Sequence, residues 1–108
     1  FGGDHPLIAS TLNSLALLYK AQGQFGQAEP LFQRAREIDE TTYGPDHPNV
    51  ARDLNNLATM YKDQNNYLKA EPLCAKALAI LEKAYGPDHP RVRDCWRNLE
   101  SLHKLQGR

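Results

Sequence analysis

The fold is decided by one short segment that occurs three times, as Phe1-Gly2-Gly3-Asp4-His5-Pro6, as Tyr43-Gly44-Pro45-Asp46-His47-Pro48 and as Tyr85-Gly86-Pro87-Asp88-His89-Pro90. The copies lie 42 residues apart, and 19 of the 42 positions are identical between the first two repeats, so the repetition extends well beyond the segment. Repeats of this length are typical of arrays in which each unit packs against the next.

Each copy of this segment carries the residues that end one helix and begin another. Gly44 and Gly86 can adopt the positive φ that ends a helix, and the proline after each of them prevents its continuation. Asp46 or His47 can cap the following helix, with Pro48 in its first turn. We therefore divide the chain, as a single domain, into repeat 1 (1–42), repeat 2 (43–84) and a partial repeat (85–108).

Between these turns, apolar residues recur at helical spacing in two blocks per repeat. The first block contains Ile8, Leu12, Leu15, Ala16 and Tyr19 in repeat 1, and Val50, Leu54, Leu57, Ala58 and Tyr61 in repeat 2. The second block contains Ala28, Leu31, Phe32, Ala35 and Ile38, and then Ala70, Leu73, Cys74, Ala77 and Ile80. Such spacing places each block on one face of a helix. Gly23-Gln24 and Asn65-Asn66, which tolerate a left-handed backbone, separate the two helices of each repeat.

Alanine and proline residues indicate how the two helices of a repeat pack together. Ala16 against Ala28, and Ala58 against Ala70, would let helix backbones approach closely. A proline, Pro30 or Pro72, lies near the start of each second helix, where a missing N–H does least harm. No segment alternates apolar and polar residues as a half-buried strand does. We therefore predict an all-α fold, an α-α superhelix of two helix-turn-helix repeats and a terminal helix.

These residues resemble the tetratricopeptide repeat, in the long variety found in kinesin light chains and related proteins. The matching positions are Leu54-Asn55-Asn56-Leu57-Ala58, Tyr61, Ala70-Glu71-Pro72-Leu73, Ala77 and Ile80. The Gly-Pro-Asp-His-Pro turn is the most specific part, and the resemblance covers essentially the whole chain. It implies a helical array in which the first helices of successive repeats line a concave groove that binds other proteins.

The third copy departs from the pattern in its helix. Trp96 and Leu99 fit the apolar spacing, but Glu100 takes the place of the alanine and His103 that of the tyrosine. A glutamate there would be costly to bury against a following helix. We therefore expect this helix to be a terminal cap, of the kind that keeps the ends of helical arrays soluble.

Composition excludes several classes of protein. The 13 basic residues balance 13 acidic ones, which counts against a nucleic-acid partner. No apolar stretch approaches the ~20 residues that span a bilayer, and no leader segment opens the chain, so we predict no membrane association. The first residue is Phe1, which indicates a piece of a longer protein. Cys74 and Cys95 are expected to be free thiols in a reducing, cytoplasmic environment.

The residues that could carry chemistry do not form an active site in this pattern. The sequence has no Gly-rich phosphate loop, nucleophile elbow or HExxH motif. His5, His47 and His89 recur with aspartates, but the 42-residue spacing puts each in a different turn, whereas zinc ligands converge within ~2–2.3 Å of one ion. Cys74 replaces Phe32 and is predicted to be a core thiol. We predict no metal, no cofactor and no enzymatic activity.

A polar stripe beside the apolar faces is the candidate binding site. By the resemblance, it comprises exposed positions of the first helices at spacings of three, four and three: Ser10, Asn13, Leu17, Lys20, Arg52, Asn55, Thr59, Lys62, Asp94, Arg97, Ser101 and Lys104. Five of these residues are basic and one is acidic, which suits an extended peptide carrying carboxylates. The peptide-binding residues predicted from this set are Ser10, Asn13, Lys20, Arg52, Asn55, Thr59, Lys62 and Arg97. The alternative is a solvated helix face that happens to be basic.

Two functions from different classes follow. The first is a non-catalytic interaction module, a scaffold or adaptor that binds short, acidic segments of partner proteins in its groove; kinesin light chains, as cargo adaptors, are one example of such behaviour. The second is a structural piece that self-associates into homo-oligomers through the apolar ends of its array. Sedimentation at several concentrations separates the two functions, because only self-association depends on concentration.

Overall fold

The computed structural model describes residues 6–107, which form five helices: α1 (Pro6–Ala21), α2 (Phe25–Tyr43), α3 (Pro48–Asp63), α4 (Tyr67–Tyr85) and α5 (Pro90–Leu105). No residue within this range is in a strand. Each helix packs against the next, and α1 also contacts α3. The fold is therefore the predicted all-α superhelix, with two helix pairs and one further first helix.

The turns have the predicted backbone. Gly44 and Gly86 follow α2 and α4 with φ of 96° and 86°, in a region that only glycine adopts without strain. Gly23 (φ 75°) and Asn65 (φ 62°) occupy the left-handed region between the two helices of each pair. Both kinds of connection are therefore specified by single residues at fixed points of the repeat.

The histidine of each described turn caps the next helix. The Nδ1 atom of His47 accepts a hydrogen bond of 3.0 Å from the backbone N–H of Asn49, and the imidazole stacks on Tyr43 with ring centroids 4.4 Å apart. His89 repeats both contacts in the next turn. The cap is thus the histidine rather than the aspartate before it, and its role is structural. His5 lies outside the described residues.

The helices bury one large apolar core and a second, smaller cluster of Ala9, Ala35 and Ile38. The four alanines predicted at the helix crossings, Ala16, Ala28, Ala58 and Ala70, are all buried in the large core. Cys74 is buried in the place of Phe32, as predicted, and Cys95 is buried as well. Both cysteines are free thiols.

The structure adds local detail to two features of the sequence. Pro30 and Pro72 lie near the start of α2 and α4, as expected, but as the sixth residue of each helix. Each ring therefore removes an N–H from the helix interior, which is tolerated because both prolines lie on the exposed side. Trp96 fits the apolar spacing yet is half exposed, because α5 packs against α4 and no later helix covers it among the described residues. Glu100, on the same side, is exposed, as expected.

Candidate functional site

The polar stripe predicted to bind a peptide is largely a set of contacts between first helices. Asn13 of α1 reaches Asp53 of α3, and Asn55 of α3 reaches Cys95 of α5, in both cases 40 residues further along the chain. The stripe therefore lies at two equivalent interfaces, one between α1 and α3 and one between α3 and α5. The side chains at these interfaces differ, and the difference decides which interface can bind a ligand.

The position of Asn13 corrects the expectation that it is exposed. Its side chain is buried, and its Nδ2 donates a hydrogen bond of 2.7 Å to Oδ1 of Asp53. Asn56 in turn donates to the Oδ1 atom of Asn13 at 3.5 Å. Because the interface packs over this amide, a peptide has no access to it.

Arg52 is bound within the protein rather than left free for a ligand. Its Nη2 donates to Oδ2 of Asp39 at 3.1 Å and to Oδ1 of Asp53 at 3.3 Å. Both aspartates are buried, whereas the arginine is half exposed. Two carboxylates, one from α2 and one from α3, therefore face one guanidinium beside the α1–α3 interface.

Asp53 is the most perturbed carboxyl of this group. Burial raises its pKa from 3.8 to about 7, helped by Asp39, while Asn13 and Arg52 oppose the shift. Its Oδ2 atom is buried and has no hydrogen-bond partner in the described part of the chain. A proton on that oxygen relieves the repulsion between the two carboxylates, so Asp53 stays protonated to a higher pH than an exposed aspartate does.

The α3–α5 interface replaces those charges with thiols and apolar groups. At the places equivalent to Asp53 and Asp39 it carries Cys95 and Leu81. The Nδ2 atom of Asn55 donates to Sγ of Cys95 at 3.1 Å. Burial raises the pKa of the Cys74 thiol to about 11 and raises the pKa of Cys95 as well. Neither cysteine is therefore a thiolate at neutral pH, and neither suits a nucleophile's role.

A cleft of about 230 Å³ opens at this second interface. It is lined by Pro48, Arg52, Asn55, Asn56, Leu81, Arg91 and Asp94. Leu81, which is buried, gives it an apolar wall, while amides, guanidinium groups and the carboxylate of Asp94 border it. That carboxylate is paired with Arg97. The cleft thus combines an apolar surface with donors suited to carboxylate or backbone oxygens.

A smaller cleft of about 60 Å³ lies further along the same interface. Its lining includes Asn55, Thr59 and Lys62, all three predicted site residues. The hydroxyl of Thr59 donates to the carbonyl of Asn55 at 2.9 Å, and Nζ of Lys62 donates to the hydroxyl of Ser101 at 3.3 Å. These three residues are half-buried. The structure therefore gathers Arg52, Asn55, Thr59 and Lys62 along one side of α3.

The remaining predicted site residues line neither cleft. Ser10 is exposed on α1. Lys20 forms an ion pair of 3.7 Å with Asp63, and Arg97 forms one of 3.6 Å with Asp94 on its own helix. Much of the basic excess of the stripe is therefore already balanced by acidic neighbours.

Two of the cations that border the clefts, Lys62 and Arg91, form no ion pair with the described residues. The described partner of Lys62 is the neutral hydroxyl of Ser101. The guanidinium of Arg91 lies 5.9 Å from the ring centroid of Tyr85, and no carboxylate of residues 7–107 is within ion-pair distance of it. These two side chains offer the positive charge that a ligand of this interface could neutralise.

Sequence reasoning missed Arg91, Asn56 and the buried pair Asp39 and Asp53. Aligning the repeats shows the signal for the aspartates, because Asp39 stands where repeat 2 has Leu81, a buried position. Arg91 follows the last proline of its turn and lies off the chosen stripe. Only the packing of α5 on α3 shows that it borders the cleft.

Within residues 7–107, no three His, Cys, Asp or Glu side chains come together as a metal site would require. None of the described helices is both long enough and apolar enough to cross a membrane.

The family model for the tetratricopeptide repeat matches residues 7–73 and again residues 54–108. Among solved structures, BtubC (BKLC) from P. vanneervenii has the same fold, with a TM-score of 0.92 and 24% sequence identity over 97% of this chain. The chain spans 42% of that protein's length. No curated protein matches the chain in sequence.

Proposed function

Because the chain belongs to the tetratricopeptide repeat family, whose kinesin-light-chain-like arrays are protein-interaction scaffolds, we propose that it is a non-catalytic module that binds a short acidic peptide segment between α3 and α5. The observation that carries the proposal is the cleft of about 230 Å³ bordered by the unbalanced guanidinium of Arg91. Lys62 extends the positive charge along the same interface.

The chemistry of the cleft matches an extended acidic peptide. Carboxylates of the peptide would form charge-assisted hydrogen bonds with Arg91 and Lys62. Asn56 and the exposed edge of Asn55 supply amides for the peptide backbone, and Leu81 supplies apolar contact beneath it. Ser10, Lys20 and Arg97 lie outside the two clefts, so we propose only peripheral contacts for them.

The test compares two peptides that differ only in charge. A fluorescent, glutamate-rich peptide and its glutamine counterpart are titrated with the protein, and fluorescence anisotropy reports binding. We expect the glutamate peptide to bind at least about tenfold more tightly, a difference of about 1.4 kcal/mol. Its affinity should fall as salt rises, because exposed charges are screened over ~8–10 Å at physiological ionic strength.

The choice of variant follows from the structure. Reversing Arg52 to glutamate would add a third carboxylate beside Asp39 and Asp53, so the protein would lose stability for a reason unrelated to binding. Lys62→Glu with Arg91→Glu avoids that network. A matched control is Lys76→Glu with Arg93→Glu, which makes the same change of net charge at exposed positions outside both clefts.

We expect the first double variant to lose the glutamate peptide and the control to retain it, with similar melting curves for both. Equal loss in both variants would show that net charge alone attracts the peptide. Binding unaffected by either pair would place the peptide elsewhere and contradict the proposal.

Self-association is the second candidate function, and the exposed leucines of α1 favour it. Sedimentation that depends on protein concentration would support it. A homo-oligomer of this kind would persist in the Lys62→Glu, Arg91→Glu variant, because those residues lie on the other side of the array from the α1 leucines.

A further inference from the structure

One side chain connects the larger cleft between α3 and α5 to the buried carboxylates at the neighbouring junction. The guanidinium of Arg52 borders the cleft of about 230 Å³. Its Nε and Nη2 atoms donate to Oδ1 of Asp53 at 3.4 and 3.3 Å, and Nη2 also donates to Oδ2 of Asp39 at 3.1 Å. Among the described residues, none accepts a hydrogen bond from Nη1. Arg52 can therefore meet a ligand of the cleft while the two carboxylates hold it.

The charge of the group that holds Arg52 depends on one proton. The side chains of Asp39 and Asp53 are only 2% and 0% exposed, and they share the one guanidinium. Because Oδ2 of Asp53 is buried without a hydrogen-bond partner among the described residues, a proton there breaks no contact. Burial and the nearby Asp39 raise the pKa of Asp53 to about 7. The two carboxylates and the guanidinium are together neutral with that proton bound, and they carry one negative charge without it.

The groups that face Asp53 come from three helices. The charged ones are Asp39 of α2 and Arg52 of α3, while α1 contributes the neutral amide of Asn13, which donates to Oδ1 at 2.7 Å. The helix α4 also packs against α3, but none of its described residues pairs with this carboxyl. The titration of Asp53 is therefore governed by burial and by these three neighbours.

We propose that a proton on the buried carboxylates regulates the cleft, so that an acidic peptide binds more tightly with the proton present than without it. The proposal rests on the peptide site proposed above and adds its regulation. With the proton bound, the guanidinium of Arg52 is opposed by one negative charge and can attract a carboxylate of the peptide on its outward side. Without the proton, Asp53 competes for the same guanidinium and repels the peptide. Asp53 does not contact the peptide and acts through Arg52, as a positioning residue.

The expected effect is that of a single buried charge close to the cleft. Such a charge changes the affinity for an ion by roughly twofold to tenfold, depending on the effective dielectric constant. We therefore expect the affinity for the glutamate-rich peptide to fall by this factor between about pH 5.5 and about pH 8.5. Exposed glutamates have a pKa of about 4.3, so the peptide stays ionised throughout this range and the change originates in the protein.

Reciprocity provides a second measurement, which needs no variant. If the proton favours the peptide, the peptide favours the proton by the same factor. Binding of the glutamate-rich peptide near pH 7 should therefore take up a fraction of a proton. Calorimetric titrations in two buffers of different ionisation enthalpy measure this uptake.

The variant that tests the assignment is Asp53→Asn, with Asp63→Asn as its matched control. Both substitutions remove one carboxylate from α3, but Asp63 is partly exposed, pairs with Lys20 and lines neither cleft. Fluorescence anisotropy measures the affinity of each protein for the glutamate-rich peptide across the pH range, and melting curves show that each protein is folded. The described histidines are the same in all three proteins, so their contribution cancels in the ratios of affinities.

We expect the affinity of the wild type relative to Asp53→Asn to fall by roughly twofold to tenfold as the pH rises, while the ratio to Asp63→Asn stays constant. Proton uptake should also be smaller in Asp53→Asn than in the wild type. A constant ratio of wild type to Asp53→Asn, or equal proton uptake in the two, overturns this proposal and leaves the peptide cleft standing. Absence of peptide binding at every pH overturns the proposed function, and with it the regulation that rests on it.

Discussion

Replacing Asp53 by asparagine should make the protein more stable at neutral and alkaline pH. Asp53 is fully buried between α1 and α3, and its Oδ1 accepts hydrogen bonds from Asn13 and Arg52. Burial and the nearby Asp39 raise its pKa from 3.8 to about 7. Asparagine keeps the accepting oxygen and the shape of the side chain, while it removes the second buried negative charge.

The sign and size of the effect follow from proton linkage. Since the folded-state pKa of Asp53 exceeds the unfolded value, the native state binds more protons than the unfolded state between about pH 4 and pH 7. The free energy of unfolding therefore falls as pH rises through that window. A shift from 3.8 to about 7, at 1.36 kcal/mol per unit, sets an upper bound of about 4 kcal/mol. Asp53→Asn removes this decrease in the free energy of unfolding. The stability of the variant relative to the wild type should therefore increase from pH 4 to pH 7 and then level off.

The measurement is urea denaturation followed by circular dichroism at a series of pH values, for the wild type and Asp53→Asn. The difference between the two profiles cancels the other titrating groups that they share. Asp63→Asn is the matched control, because Asp63 is partly exposed and forms a surface ion pair with Lys20. Such a pair contributes at most about 1 kcal/mol, so this variant should show a small and flat difference.

A wild type that is more stable than Asp53→Asn at pH 8 would refute the reasoning. It would mean that Asp53 is ionised in the folded protein and that Arg52 outweighs both burial and Asp39. The loss expected on breaking a buried ion pair, about 3–5 kcal/mol, has the opposite sign and is easily distinguished.

The other predictions concern the packing and turns of the array. Ala16→Leu should destabilise the protein by roughly 1–3 kcal/mol in a thermal or urea melt, because Ala16 is fully buried in the core. Ala58→Leu should destabilise it less, because Ala58 borders the smaller cleft. Equal destabilisation by the two variants would show that the cleft does not accommodate the larger side chain. Gly44→Ala should destabilise by roughly 1–3 kcal/mol because of its φ of 96°, whereas Gly26→Ala, in a helix with open space at its Cβ, should stabilise by roughly 0.5–1 kcal/mol. If both glycine variants changed the stability in the same direction, backbone conformation would not be what determines their effects.

The sequence is sufficient to predict the elements of this fold, because each boundary depends on a local signal. Gly44 and Gly86 end helices through their φ, and His47 and His89 begin the next helices through contacts two residues away. The apolar spacing likewise predicts which faces are buried. The starts of α2 and α4 carry a weaker signal, because Gln24 and Asn66 form no side-chain cap.

The candidate site was predictable only in outline. Helical spacing brings Arg52, Asn55 and Lys62 to one side of α3, where Arg52 and Asn55 line the larger cleft and Asn55 and Lys62 line the smaller one. Spacing does not report distances between helices, so it could not show that Asn13 is buried or that Arg52 is bound to Asp39. Arg91 was missed for the same reason, because it lies off the chosen stripe of α5 and only the packing of α5 on α3 brings it to the cleft.

Comparison of the two interfaces explains why the cleft lies between α3 and α5. At the α1–α3 interface, the long side chain of Arg52 extends over the buried carboxylates of Asp39 and Asp53 and holds the surface closed. At the α3–α5 interface, the equivalent places have Asp94, Leu81 and Cys95, so no arginine stands at the place of Arg52 and no buried carboxylate requires one. The shorter Asp94 pairs with Arg97 on its own helix and leaves space above Leu81. Three substitutions on one repeated backbone therefore convert a sealed, charged junction into an open one with an apolar wall.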